Sequence, residues 1–205
     1  GSTATGAANS LKITAADGRV TDFIEKPPAG TAPSNWINAG TYVLEPSVLN
    51  LVEPGARSSI EREVFPALAE RGSLYAMGSD AYWIDAGTPE AYLTAQLDLL
   101  DGRRSGGPEP GVHPSAKIDA SATVRRSVVD TDAQVGAGAI VEESIVMAGA
   151  TVADGAVVRR SILGWGAAVA PSAVVTDLSV VGADTEVEAG RELRGELLPP
   201  PEQWA

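Results

Sequence analysis

The chain has 205 residues, 44% of them apolar and only 5% aromatic. That is room for one large or two small domains with a core of small aliphatic side chains. A net charge of −12 argues against nucleic-acid binding, which needs basic surface to displace counterions, and the absence of cysteine excludes disulfides and thiolate metal sites. No apolar run approaches the ~20 residues of a membrane span and no secretory pattern opens the sequence. We expect a soluble cytoplasmic protein with neither nucleic acid nor membrane as partner.

Residues 1–10, GSTATGAANS, are small and polar without period and read as a disordered tag or linker. Leu11 to Thr14 and Val20 to Glu25 read as a hairpin across a turn carrying Asp17-Gly18. After a loop over 28–35, a strand is predicted from Ile37 to Leu44, then a short helix from Ser47 to Val52. Ser58 can N-cap the next helix, with Glu61 closing a capping box and Ile60, Val64 and Leu68 on one face. Pro66 lacks a backbone donor, so a kink or two short helices is expected. Two strands are predicted near 73–78 and 81–85. Thr88 and Pro89 then form an N-cap and first turn for a helix striped by Leu93, Leu97 and Leu100 that ends near Asp101-Gly102. About five strands and two or three helices over 11–101 make an α/β layout whose strands lack partners for a complete sheet. Residues 102–111 are a Gly/Pro-rich linker.

From Val112 onward the chain repeats. Val112, Ile118 and Val124 are six apart; one residue drops out, and Val129, Val135 and Val141 follow. After a second and a third loss come Val146, Val152, Val158 and then Leu163, Val169, Val175; from there the step runs unbroken through Val181, Val187 and Leu193. Two residues before all but the end positions stands a small side chain, such as Ala133, Ala139 or Ser144. A helix period of 3.6 or a plain alternating sheet does not give this pattern. Fifteen short strands, three to a coil, make a triangular prism of about five coils. It resembles the hexapeptide repeat of left-handed parallel β-helices; the left hand comes from the resemblance, because crossovers otherwise favour the right. The shortened corners carry Arg125-Arg126, Glu142-Glu143 and Arg159-Arg160, and a fourth carries Asp177. With coils ~4.8 Å apart, these should stack as alternating charge, either a device selecting coil register or a docking stripe. The β-helix is placed at 112–198 and a proline-containing tail at 199–205.

The segments FIEKP at 23–27, NAG at 38–40 and YWIDAGTPEAYL at 82–93, with SIEREVFPAL and the hexapeptide repeat, now line up. Together they resemble the sugar-nucleotide pyrophosphorylases, most of all the GDP-mannose pyrophosphorylase (mannose-1-phosphate guanylyltransferase) branch. The resemblance implies an incomplete Rossmann-like nucleotidyltransferase half-domain over 11–101, its sugar-binding part, followed by the left-handed β-helix. It implies a reaction in which a sugar 1-phosphate oxygen attacks the α-phosphorus of a nucleoside triphosphate such as GTP, releasing pyrophosphate. It assigns Glu25 to sugar hydroxyls, Lys26 to the sugar phosphate, Asn38 and Gly40 to the sugar pocket, and Asp85 to one of two carboxylates holding Mg²⁺.

The glycine-rich loop GGxGTRL…PK of that family, which binds the triphosphate, does not occur in these residues, nor does its second metal-binding Asp. We therefore expect a fragment of a longer enzyme or a partner of another chain, inactive alone and holding Mg²⁺ weakly. Thymidylyl and adenylyl relatives share the motifs. A non-catalytic scaffold or regulatory subunit is the second reading, and a hexapeptide acyltransferase using His113 as base the third. Regular faces and open ends of the β-helix suggest a homo-oligomer.

Overall fold

The computed structural model describes residues 10–13, 17–24, 28, 30–31, 34, 36–104 and 106–203. The chain divides into two compact units, one ending at Ala81 and one beginning at Tyr82. Helix 89–100 therefore belongs with the repeat.

In the first unit β1 (Ser10–Ile13) pairs antiparallel with β2 (Val20–Ile24), Leu11 opposite Phe23. Gly18 turns the chain at φ +74°, and a Cβ there would stand 2.9 Å from the Ala76 carbonyl oxygen, so close packing as well as the left-handed backbone selects glycine. Val20 donates to Leu74 O at 2.9 Å and Ala76 to Gly18 O at 2.8 Å. A 3₁₀-helix, Pro46–Leu51, occupies the site of the predicted short helix. Next come a π-helical turn, Ile60–Val64, and α1 (Phe65–Glu70). The wide turn is the answer to Pro66: Phe65 N–H reaches back five residues to Ile60 O, which moves the helix away from the clash proline would make four residues back. Val20, Phe23, Val64, Phe65 and Leu68 form the buried core.

Three expectations are corrected here. The N-cap is Ser59, whose side chain accepts from Arg62 N, and Glu63 rather than Glu61 reaches back to the Ser59 N–H at 3.3 Å, because the π turn shifts the reciprocal partner by one residue. Residues 37–44 hold one bridging position but no strand, and 73–78 and 81–85 hold a single antiparallel bridge, Arg19 with Tyr75. Their β-rich composition has no ladder to join among the described residues, and a strand exists only by pairing. Val43 is 99% and Met77 94% exposed.

In the second unit α2 (Pro89–Leu100) starts as predicted, Thr88 Oγ1 accepting from Ala91 N at 3.2 Å with Pro89 at the first position. Fifteen short strands then wind into three parallel five-stranded sheets. One holds β3 (Lys117–Ile118), β6 (Gln134–Val135), β9 (Thr151–Val152), β12 (Ala168–Val169) and β15 (Glu186–Val187). The next holds β4 (Thr123–Arg125), β7 (Ile140–Glu142), β10 (Val157–Arg159), β13 (Val174–Thr176) and β16 (Glu192–Arg194). The third holds β5 (Val128–Val129), β8 (Ile145–Val146), β11 (Ile162–Leu163), β14 (Val180–Val181) and β17 (Leu197–Leu198). Val135, Val152 and Val169 stand in register and share one buried column. Val112 makes only a bridge to Val129; the fifteenth strand is instead Leu197–Leu198, after which Pro199 stops the ladder.

Each strand sends one aliphatic side chain inward, and Ala133, Ala139, Ala150, Ala156, Ala167 and Ala173 fill the corners with no exposed surface. The third sheet differs on its outer side. Val128, Ile145, Ile162 and Val180 form an apolar column there, and Leu93 and Leu97 of α2 lie on it, buried. The leucine face of α2 and this sheet column thus close a second core outside the prism.

Candidate functional site

Of the residues assigned to the sugar pocket, Glu25 and Lys26 lie outside the described residues. Asn38 and Gly40 sit in the first unit, Asp85 in the second.

Asn38 and Gly40 form an Asx turn: Gly40 N–H donates to Asn38 Oδ1 at 3.1 Å. Gly40 has φ +73°, and nothing lies within 4 Å of a Cβ built there. Its glycine is required by the left-handed backbone, and the space beside it is open. Asn38 Nδ2 donates to Glu61 Oε1 at 2.9 Å and to Tyr42 Oη at 2.5 Å. Tyr42 Oη donates to the same Glu61 oxygen at 3.2 Å. The Tyr42 ring meets Phe65 edge-on, centroids 4.8 Å apart, and Phe65 is a core residue. Burial raises the Tyr42 hydroxyl pKa, the Asn38 bond offsets part of the rise, and the Glu61 charge adds to it. The hydroxyl therefore stays protonated and able to donate. Asn38, Tyr42 and Glu61 are thus joined in one hydrogen-bonded cluster beside the exposed Gly40 turn.

Sequence reasoning missed Tyr42 and Glu61. Tyr42 is four residues from Asn38 and could have been read as a local partner; Glu61, 23 residues away, could not.

Asp85 is exposed, and its Oδ1 accepts from Gly87 N at 3.1 Å. A Cβ at Gly87 would meet that oxygen at 3.1 Å. Among the described residues no three Asp, Glu or His side chains converge to hold a metal. Asp85 offers one carboxylate, and the described residues do not assemble the remainder of an Mg²⁺ site. His113 Nδ1 accepts from Ser115 N at 3.2 Å, so its ring caps the first turn of the repeat, exposed.

A second polar cluster was not anticipated. Arg126 grips Asp101 with Nη2 to Oδ2 at 2.6 Å and Nε to Oδ1 at 3.0 Å, and Glu143 with Nη1 to Oε1 at 3.1 Å. Asp98 is buried, accepts from Tyr82 Oη at 2.9 Å and pairs with Arg103 at 3.0 Å. Burial, first, and the Asp98 bond push the Tyr82 hydroxyl up to about 12. A cleft of about 200 Å³ opens here, lined by Thr94, Arg103 and Arg160 among others. It includes none of the residues expected to bind sugar. The Asp101, Arg126, Asp98 and Arg103 charges are satisfied by one another, which marks the cluster as the fastening of α2 to the repeat.

Two family models match the chain: "Nucleotidyl transferase" over residues 9–102 and "GMPPB C-terminal domain" over residues 108–202. Among curated proteins, the mannose-1-phosphate guanylyltransferase catalytic subunit beta of Drosophila pseudoobscura pseudoobscura is 43% identical over 113 residues, 53% of this chain and 30% of that protein. The subunit of the same name from Danio rerio is 38% identical over 112 residues, 52% of this chain and 30% of its own length. A probable mannose-1-phosphate guanylyltransferase 3 of Arabidopsis thaliana is 44% identical over 91 residues, 44% of this chain and 27% of its own. The matched region thus spans under a third of these relatives.

Proposed function

We propose, for a chain that belongs to the nucleotidyl transferase family and carries a GMPPB-type C-terminal domain, that it is the sugar-side part of an enzyme making a nucleoside-diphosphate sugar. GDP-mannose is the product we assign, from GTP and mannose 1-phosphate with release of pyrophosphate. The reading is carried by the succession of the two family matches along one polypeptide. The chemistry asks little of the protein beyond positioning and charge. Asn38 and the Gly40 backbone hold the sugar, Glu25 binds its hydroxyls, and Lys26 meets its phosphate. Asp85 would supply one carboxylate to a bound Mg²⁺, whose charge would offset that of the phosphates. Homo-oligomerisation through the β-helix completes the proposal.

The test is a titration of the 205-residue chain with mannose 1-phosphate, glucose 1-phosphate and N-acetylglucosamine 1-phosphate. Mannose 1-phosphate should bind tightest, and Asn38→Ala should weaken its binding about tenfold or more while leaving it measurable. A preference for another sugar, or no binding, overturns the assignment. With GTP, Mg²⁺ and mannose 1-phosphate the chain alone should release no pyrophosphate above background, since no triphosphate loop is among its residues; release at an enzymatic rate would refute that part.

A further inference from the structure

The Asn38 side-chain amide has two N–H donors and one carbonyl acceptor. Both donors are spent within the protein, on Glu61 Oε1 at 2.9 Å and on Tyr42 Oη at 2.5 Å. The carbonyl Oδ1 takes the Gly40 N–H at 3.1 Å and keeps one lone pair. Turning the amide over would set Oδ1 against a carboxylate and Nδ2 against an N–H donor, so two favourable contacts would become two repulsive ones. The carboxylate that forbids this comes from the π-helical turn, Ile60–Val64, on a different element from Asn38. Its intermediary, Tyr42, is seated on the core ring of Phe65.

We infer that Glu61, braced by Tyr42, is a positioning residue that locks Asn38 as an acceptor, so that the site takes a ligand hydroxyl that donates at this point. This rests on the reading of Asn38 as a sugar contact. It assigns Asn38 the acceptor half of a hydrogen bond, leaves the donor half to the sugar, and gives Glu61 a role exerted wholly through Asn38. A Gln at 61 has a donor as well as an acceptor, so either amide orientation of Asn38 would then find partners.

The experiment is a double-mutant cycle on the full chain, read by mannose 1-phosphate titration of wild type, Glu61→Gln, Asn38→Ala and the double variant. Glu61→Gln should weaken binding about tenfold, the scale of one hydrogen bond, and should add nothing in the Asn38→Ala background. Deoxy and deoxyfluoro analogues at each sugar hydroxyl should reveal one position where fluorine binds as poorly as hydrogen, and that loss should vanish with Asn38→Ala. Unchanged binding in Glu61→Gln, or a full additional loss in the double variant, overturns the inference while the sugar-site reading stands. Unchanged binding in Asn38→Ala overturns both. A ligand-free readout is confined to folded protein: with backbone amides of the Phe23 and Phe65 core equally protected in both, the two Asn38 side-chain amide protons should be distinct and slow to exchange with solvent in wild type and fast in Glu61→Gln. Equal exchange in the two proteins overturns the lock.

Discussion

Four serines show what a single hydroxyl does in this fold. Ser127, Ser144, Ser161 and Ser179 occupy corner positions where the other corners have alanine, and all four are buried. Ser144 Oγ donates to Glu142 O at 2.7 Å and accepts from Ser161 N at 3.2 Å, while its own N–H goes to Ser127 Oγ at 3.1 Å. At these corners the hydroxyl stands in for a carbonyl that the lost residue would have offered. The relay pauses where a residue is restored: Ser179 N–H turns to Thr176 O at 3.1 Å, and Ser179 Oγ takes Glu196 N at 3.1 Å. Ser144→Ala strands the buried Ser161 N–H and should cost about 1–3 kcal/mol, measured as a lower urea midpoint; Ser179→Ala, whose orphan is only part-buried, should cost less. A pH effect belongs to the same scale. The Arg126 hydrogen bond holds the Asp101 carboxyl below its ordinary pKa, and the Arg159 bond, ahead of Arg125, does so for Glu142. A depressed carboxyl stabilises the fold above its unfolded pKa, and that contribution is lost as pH falls through the folded value. The melting temperature should therefore be level from neutral pH to about 5 and fall below about 4, where unfolded carboxylates titrate. Arg126→Met with Arg159→Met should lower the neutral-pH value and shrink the fall.

At the scale of elements, the charged corners and helix α2 share one design. Arg126, Glu143 and Arg160 all sit near φ +45°, the left-handed backbone that turns a corner short of one residue and costs an ordinary side chain ~1–2 kcal/mol. Their neighbours form the alternating column: Glu142 bridges Arg125 at 3.1 Å and Arg159 at 2.9 Å. Each exposed pair is worth ~0–1 kcal/mol, but a one-coil slip would set like charges against each other, so we expect the column to select register. Reversing Glu142 and Glu143 to Lys should lower the melting temperature, most at low salt; equal melting at every ionic strength would remove the column from the account of stability. Helix α2 is held by Leu93 and Leu97 on the apolar outer column and by Arg126 on Asp101. Leu93→Ala should cost about 2–5 kcal/mol and expose Val128, Ile145 and Ile162, seen as faster amide exchange in the third sheet before the other two.

For the molecule as a whole, stacked coils touch only the coils above and below, so stability is a chain of neighbour terms. Val158 is fully buried at the middle of that chain. Val158→Asp places a carboxylate where nothing can solvate it and should abolish amide protection in all three sheets; a folded variant with intact protection would contradict a dry, close-packed prism. The repeat could be read from the sequence almost residue by residue. Every strand there has its partner 17 or 18 residues away, and each inward position must be aliphatic whatever else the chain does. Helix α2 was equally legible, because Thr88, Pro89 and the leucine spacing are local signals. What covers its apolar face was not, although the run Val128, Ile145, Ile162, Val180 marks the outer column once the coils are counted. Ahead of α2 local composition misled: 37–44, 73–78 and 81–85 have the side chains of strands, but pairing is a property of neighbours, and only the Arg19–Tyr75 bridge forms in the second of these stretches. The NAG motif pointed to Asn38 and Gly40 by resemblance. That Glu61 and Tyr42 decide which way the Asn38 amide faces was settled by tertiary structure alone, since a hydrogen bond across 23 residues depends on where the π turn at 60–64 sets its carboxylate. Periodic packing is written along the chain because it recurs at fixed steps; polar orientation is a matter of distance, which exists only once the chain has folded.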